Sequence, residues 1–279
     1  MTEISPDSPQ NRSRDSAERN AAAETPRPDP VVRRISVHDV VEALIAGLRD
    51  FQAAPLFGLF FGGIYTLAGL AILLSLTRLG MPYLAYPLGA GFVLIGPFVA
   101  VGLYEVSRRR EAGEPLAWGK VLGVVFAQSQ RELGWMAFVT LFVMMMWLYQ
   151  VRLLLALFLG FQSFSSFNGF LTVVATTPEG LMFLAVGNLV GAVLAAALFS
   201  LTVVSFPLLL DREVDFITAM ITSVRAVATN PVPMLGFAAA IVALSTVAML
   251  PVFLGLIVVM PVLGHTTWHL YRRVVEPAA

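Results

Sequence analysis

At 279 residues, 57% of them hydrophobic and 13% charged, and with a mean hydropathy of +0.79, the chain carries more apolar side chains than a water-soluble domain can bury. The formal net charge is zero, which removes any whole-chain electrostatic case for binding nucleic acid. Cysteine is absent, so disulfides, thiolate nucleophiles and Cys-ligated clusters are excluded.

The first 34 residues are rich in Pro, Ser, Arg, Asp and Glu and hold no apolar run, so they read as a disordered polar tail ahead of a membrane domain at 35–275. No apolar stretch follows a basic start before Pro55, and insertion is expected to depend on a mature helix. A helix needs about 20 apolar residues to cross roughly 30 Å of hydrocarbon. On that basis the sequence predicts an all-α bundle of six transmembrane helices, at about 55–76, 83–106, 134–151, 181–210, 232–249 and 252–271. The last two are separated by a tight turn near Pro251. With six spans and a cytoplasmic N-terminus, 16 of the 18 Lys and Arg fall on the cytoplasmic side, and only Arg78 and Arg152 lie outside. That asymmetry selects six spans over five and predicts both termini cytoplasmic in a bacterial inner membrane.

Each odd-numbered span is preceded by a segment patterned as an amphipathic interfacial helix. The first and third align without a gap: DVVEALIAGLR from Asp39 faces DFITAMITSVR from Asp215, with Pro55 opposite Pro231 six residues on. The middle copy, LAWGKVLGVVFAQSQR from Leu116, keeps the apolar spacing only. The expectation is a threefold internal repeat of one interfacial helix plus one helical hairpin. In the second repeat, Phe161, Phe164, Phe167 and Phe170 recur at i, i+3 between Leu153 and Gly180. They predict an aromatic belt at the far interface, with a lid over an outward-facing cavity as the rival reading.

Polar groups collect at the predicted cytoplasmic ends. His265 and His269 lie one helical turn apart, the third histidine is His38, and Glu105 and Asp211 close the second and fourth spans. These five form a candidate ligand or polar cluster at the inner interface. The pair has no HExxH or comparable ligand spacing around it. The preferred reading is an interfacial helix end in which Trp268 and Tyr271 sit at headgroup level and Arg272 and Arg273 meet anionic lipid. Within the spans, Gly187 and Gly191, and Gly96 and Gly102, supply small-residue spacings that predict close packing of the second and fourth spans. Met144, Met145 and Met146 point in different directions round a helix and read as lipid-facing filler, not a soft-metal site.

Three motifs, GPFVAVGLYEVSRRREAGEP, FPLLLDREVDFITAMITSVRAVATNP and MPVLGHTTWHLYRR, together resemble the bacterial membrane family called domain of unknown function 2189, over about Arg34 to Val275. The resemblance implies a six-span membrane protein without an established activity. A label of cytochrome c oxidase subunit, sometimes attached to that family, fails a physical check. A haem-copper core needs about six ligating histidines, and this chain has three. No catalytic triad, phosphate loop or dinucleotide fingerprint is present. The function expected is a non-catalytic membrane protein acting on lipids, a membrane-protein partner or a second copy of itself, with no cofactor implied. The alternatives are a small-solute transporter or channel and a metal- or haem-binding protein using His265 and His269.

Overall fold

The computed structural model describes residues 29–78, 85–129, 132–160 and 167–277. From Val31 onward these form one compact unit. Among the described residues the regular structure is helical: α1 (Val37–Ala53), α2 (Pro55–Thr77), α3 (Ala85–Glu111), α4 (Trp118–Ser129), α5 (Glu132–Leu159), α6 (Phe167–Thr176), α7 (Pro178–Thr202), α8 (Ser205–Asp211), α9 (Phe216–Thr229), α10 (Pro231–Met249) and α11 (Leu256–Val274). Four segments are long and apolar enough to cross a membrane: Pro55–Ser75, Gly134–Leu159, Pro178–Asp211 and Pro231–Met249. The third predicted span extends past Val151 to Leu159 and carries Arg152 within the helix. The fourth is broken at Val203 and Val204, which separate α7 from α8. Phe161 and Phe164 of the expected aromatic belt lie outside the described residues. Phe170 stands on α6, which packs against the start of α7.

The starts and stops follow local chemistry. Ser36 caps α1 and Asp39 returns the bond from the third helical position, a capping box that satisfies two N–H groups at once. Asp215 caps α9 by accepting from the N–H of Thr218 at 2.9 Å. Pro55 and Pro231 begin α2 and α10, where a missing N–H costs least. The corners before them share one backbone conformation: Ala54 at φ −131°, ψ 54° and Asn230 at φ −127°, ψ 55°. α10 and α11 are joined by a turn in which Val252 (φ 56°) and Phe253 (φ 64°) occupy the left-handed region, a strained conformation for a β-branched residue.

α11 is the hub, packed on α1, α2 and α3 and touching α8 and α10. Close approach is bought by two glycines. A Cβ on Gly47 would lie 2.7 Å from the Thr266 nitrogen and 2.8 Å from the Val262 carbonyl, and one on Gly62 would strike the Ile257 carbonyl and sit 2.8 Å from the Pro261 ring. Pro261 has no N–H, so the Ile257 carbonyl four residues earlier loses its helical donor. Gly62 brings the α2 backbone onto that freed carbonyl, where a Cα–H contact is the partner sterics allow.

The second and fourth predicted spans meet through α8, which touches α3, and the glycines read from the sequence pack on other helices. Gly102 lies under the Phe61 ring of α2, and the Gly96 carbonyl accepts from the Tyr65 hydroxyl at 2.9 Å. Gly187 and Gly191 face Leu154 and Trp147 of α5, at 3.9 and 2.6 Å from an added Cβ. A large ring stands opposite the glycine at Gly102 and Gly191.

Residues 31–34, expected in the disordered tail, belong to the fold. Val32 bridges Val275, the Arg33 N–H donates to the Val274 carbonyl at 2.8 Å, and buried Asn230 holds both the Ile35 N–H (2.8 Å) and the Arg33 carbonyl (3.0 Å). Asn230→Ala strands those two backbone groups, and a loss of about 1–3 kcal/mol is expected in denaturant unfolding followed in detergent.

Candidate functional site

The polar residues gather where the last turn of α1 meets the ends of α3 and α11. On α1, Val40, Ala43, Gly47 and Asp50 share one buried face, so helical periodicity turns the Asp50 carboxylate inward. There it accepts three bonds. Ser107 Oγ donates to Oδ2 at 2.6 Å, His269 Nε2 to Oδ2 at 2.7 Å and Arg110 Nε to Oδ1 at 2.8 Å. Burial pushes the Asp50 carboxyl up, but the bonds from His269, Ser107 and Arg110 outweigh it and hold it at about 2. Ser107 Oγ also bonds His265 Nδ1 at 2.8 Å, and both residues are fully buried.

Around this centre the other charges are spent on one another. Glu105, fully buried, takes Arg108 Nε at 2.7 Å and Arg109 Nε at 2.6 Å, and Arg109 reaches on to Glu114 at 2.9 Å. Asp211 accepts from the Tyr271 hydroxyl at 2.6 Å and from Arg272 at 3.5 Å. Glu111 accepts from Trp268 Nε1 at 2.9 Å and from Arg272 Nε at 3.0 Å. Arg273 bridges to Asp39 (3.0 Å) and Glu42 (2.7 Å) on α1. Asp39 itself is held below the usual carboxylate range, first by the Ser36 N–H and then by its hydroxyl. Arg272 and Arg273 are thus clasps between helices, where the sequence suggested contacts to anionic lipid.

Of the five residues expected to cluster, His265 and His269 come together around Asp50. Glu105 and Asp211 occupy neighbouring ion pairs. His38 does not join them: its side chain is 77% exposed and faces Glu42 at 3.6 Å. Among the described residues no set of three or more His, Asp or Glu is arranged to hold a metal ion. Sequence reasoning missed Asp50, Ser107 and Arg110. The signal was there for Asp50, a carboxylate at i+3 from Gly47 on the apolar face of an amphipathic helix. Ser107 and Arg110 carry no comparable mark inside the run SRRR.

Away from this junction, two of the cavities among the described residues are grooves between apolar helices. One of about 170 Å³ lies between α5 and α7, with Trp147, Gln150, Leu154, Gly187 and Asn188 on its walls. Another, of about 470 Å³, lies between α7 and α10 and is lined mainly by Ala and Leu.

Several apolar helices of crossing length, with charged side chains collected at one junction, define an integral membrane protein. Residues 85–211 match the model of the family described as predicted integral membrane protein, domain of unknown function 2189, the family that the three motifs resemble. The matched stretch contains Glu105, Ser107, Arg110 and Asp211, whereas Asp50, His265 and His269 lie on helices outside it. No curated protein and no solved structure matches the chain.

Proposed function

We propose that the protein is a non-catalytic membrane protein that works through contacts of its interfacial helices with lipid and with membrane partners. In this reading α1, α4 and α9 lie in the interface, each opening one of three repeats. Six helices cross a bacterial inner membrane, with both termini cytoplasmic. The observation that carries the reading is a matched division of α1 and α9 into three faces. Ala43 and Gly47 on α1, and Ala219 and Ser223 on α9, are buried against the bundle. Val41, Ile45 and Leu48, and in the same register Ile217, Ile221 and Val224, form apolar stripes left 41–52% exposed. Arg49 and Arg225 stand on the third, polar face. A helix that shows one face to protein, one to hydrocarbon and one to water belongs at a membrane surface. The common corner at Ala54 and Asn230 supports the repeat.

Because the chain is free of cysteine, single-cysteine labelling tests this directly. In bilayers, a fluorophore at Ile45→Cys or Ile221→Cys is expected to be quenched by brominated acyl chains, and one at Arg49→Cys by an aqueous quencher. Equal aqueous quenching at all three sites would sink the interfacial reading. In the same cysteine-free background, an impermeant maleimide should reach Arg34→Cys and Arg78→Cys from opposite sides of an oriented vesicle. Labelling from one side would overturn the topology.

A further inference from the structure

The proton balance of the buried junction leads beyond the scaffold reading. Asp50 is ionised under ordinary conditions, so its Oδ2 can only accept, and Ser107 must direct its hydroxyl proton there across 2.6 Å. The Ser107 oxygen is then an acceptor toward the imidazole, and His265 Nδ1 must carry the ring proton across 2.8 Å. A neutral imidazole protonated at Nδ1 has a bare lone pair at Nε2. That atom is buried and makes no hydrogen bond. An unsatisfied buried acceptor is costly, and native proteins keep few without a purpose.

We propose that Nε2 of His265 is a proton-binding site built into the α1–α3–α11 junction. The geometry favours the proton over other occupants. A metal ion would need further ligands, and none converge among the described residues. A water would need at least two polar partners, whereas a proton needs only the lone pair. When it binds, the Nδ1–H and the Ser107 O–H stay in place, and the imidazolium is faced by the Asp50 carboxylate through Ser107. The groups facing it are Asp50 from α1, Ser107 and Arg110 from α3 and His269 from its own helix. α2 and α10 bring no charged side chain, and Asp211 at the end of α8 is engaged with Tyr271 and Arg272. Protonation creates an N–H donor at Nε2, an atom without a hydrogen-bond partner, and it adds a positive charge close to Arg110, opposed by the Asp50 carboxylate and the Leu103 backbone beside the ring. Both effects weaken the seating of α11 on α3, so the site couples acidification to loosening of the hub helix.

The test is nitrogen NMR of the full chain, labelled with ¹⁵N-histidine and held in nanodiscs, with the His265 signals assigned by their loss in His265→Gln. At neutral pH the Nε2 resonance of His265 is expected in the unprotonated range and Nδ1 in the protonated range. On acidification Nε2 should move to the protonated range, and amide exchange across 263–274 should rise in the same step. Asp50→Asn reverses the Ser107 bond, because an amide can donate to Oγ, and is expected to switch the tautomer to Nε2–H. A wild-type His265 already protonated at Nε2 at neutral pH would overturn the proposal. So would an exchange step that persists unchanged in His265→Gln. If the variants fail to fold, the wild-type tautomer still decides.

Discussion

Asp50→Ala is expected to destabilise the protein by about 3 kcal/mol, the lower end of the cost of breaking a buried pair, because it leaves buried Ser107 and the part-buried Arg110 and His269 without their shared anion. Three bonds converge on this carboxylate from two other helices, and no neighbouring acid can replace it: Glu105 is saturated by Arg108 and Arg109. Denaturant unfolding in detergent should show the loss, and Glu42→Gln, at a more exposed ion pair, should cost less than about 1 kcal/mol. The pH dependence has a definite sign. The folded Asp50 carboxyl titrates at about 2, below its ordinary 3.8. Its contribution is therefore complete above the ordinary value and is lost as the pH falls through the folded one. Wild type should lose stability between about pH 4 and pH 2. Asp50→Asn should be less stable at neutral pH but flatter over that window. Parallel curves for the two proteins would show that Asp50 is not the ionised centre of the junction.

Gly62→Ala is the second large effect, with a loss of about 3 kcal/mol, at the upper end of what overpacking costs. The new methyl would meet the Ile257 carbonyl and the Pro261 ring, and neither backbone nor a pyrrolidine ring can rotate away. α2 would have to withdraw from α11 along its length. Gly63 is the internal control. A Cβ there has nothing within 4 Å, and replacing glycine by alanine in a helix is worth up to about 1 kcal/mol in favour. Equal effects at the two positions would mean that α2 does not seat on Pro261 as described.

Much of the fold was legible because it is local. Pro55 and Pro231 mark helix starts through φ restriction, and Asp39 and Asp215 mark the first turns of α1 and α9, signals that need only a few neighbouring residues. The histidine pair was legible for the same reason, since i, i+4 spacing puts both rings on one side of a helix. What binds them was not, because Asp50 lies 219 residues from His269 and no periodicity spans that separation. His38 shows the reverse error: matching depth in the membrane suggested a third ligand, but the α1 register turns it to solvent. Of the small residues expected to pack the second and fourth spans together, Gly102 stands against Phe61 and Gly191 against Trp147. Spacing within one helix carries no information about which ring will stand opposite.

The pairing of Val32 with Val275, and of Asp50 with His269, has a consequence for how the molecule is made. The helix that positions Asp50 emerges among the first, whereas the partners it accepts from on α11 follow every other described helix in the sequence. Contacts of such long sequence separation are entropically late. Until synthesis reaches α11, the Asp50 carboxylate lacks its His269 donor and Gly62 lacks the Ile257–Pro261 surface it packs on. Among the described helices, the contacts that seat α1 and α2 are therefore closed only by α11.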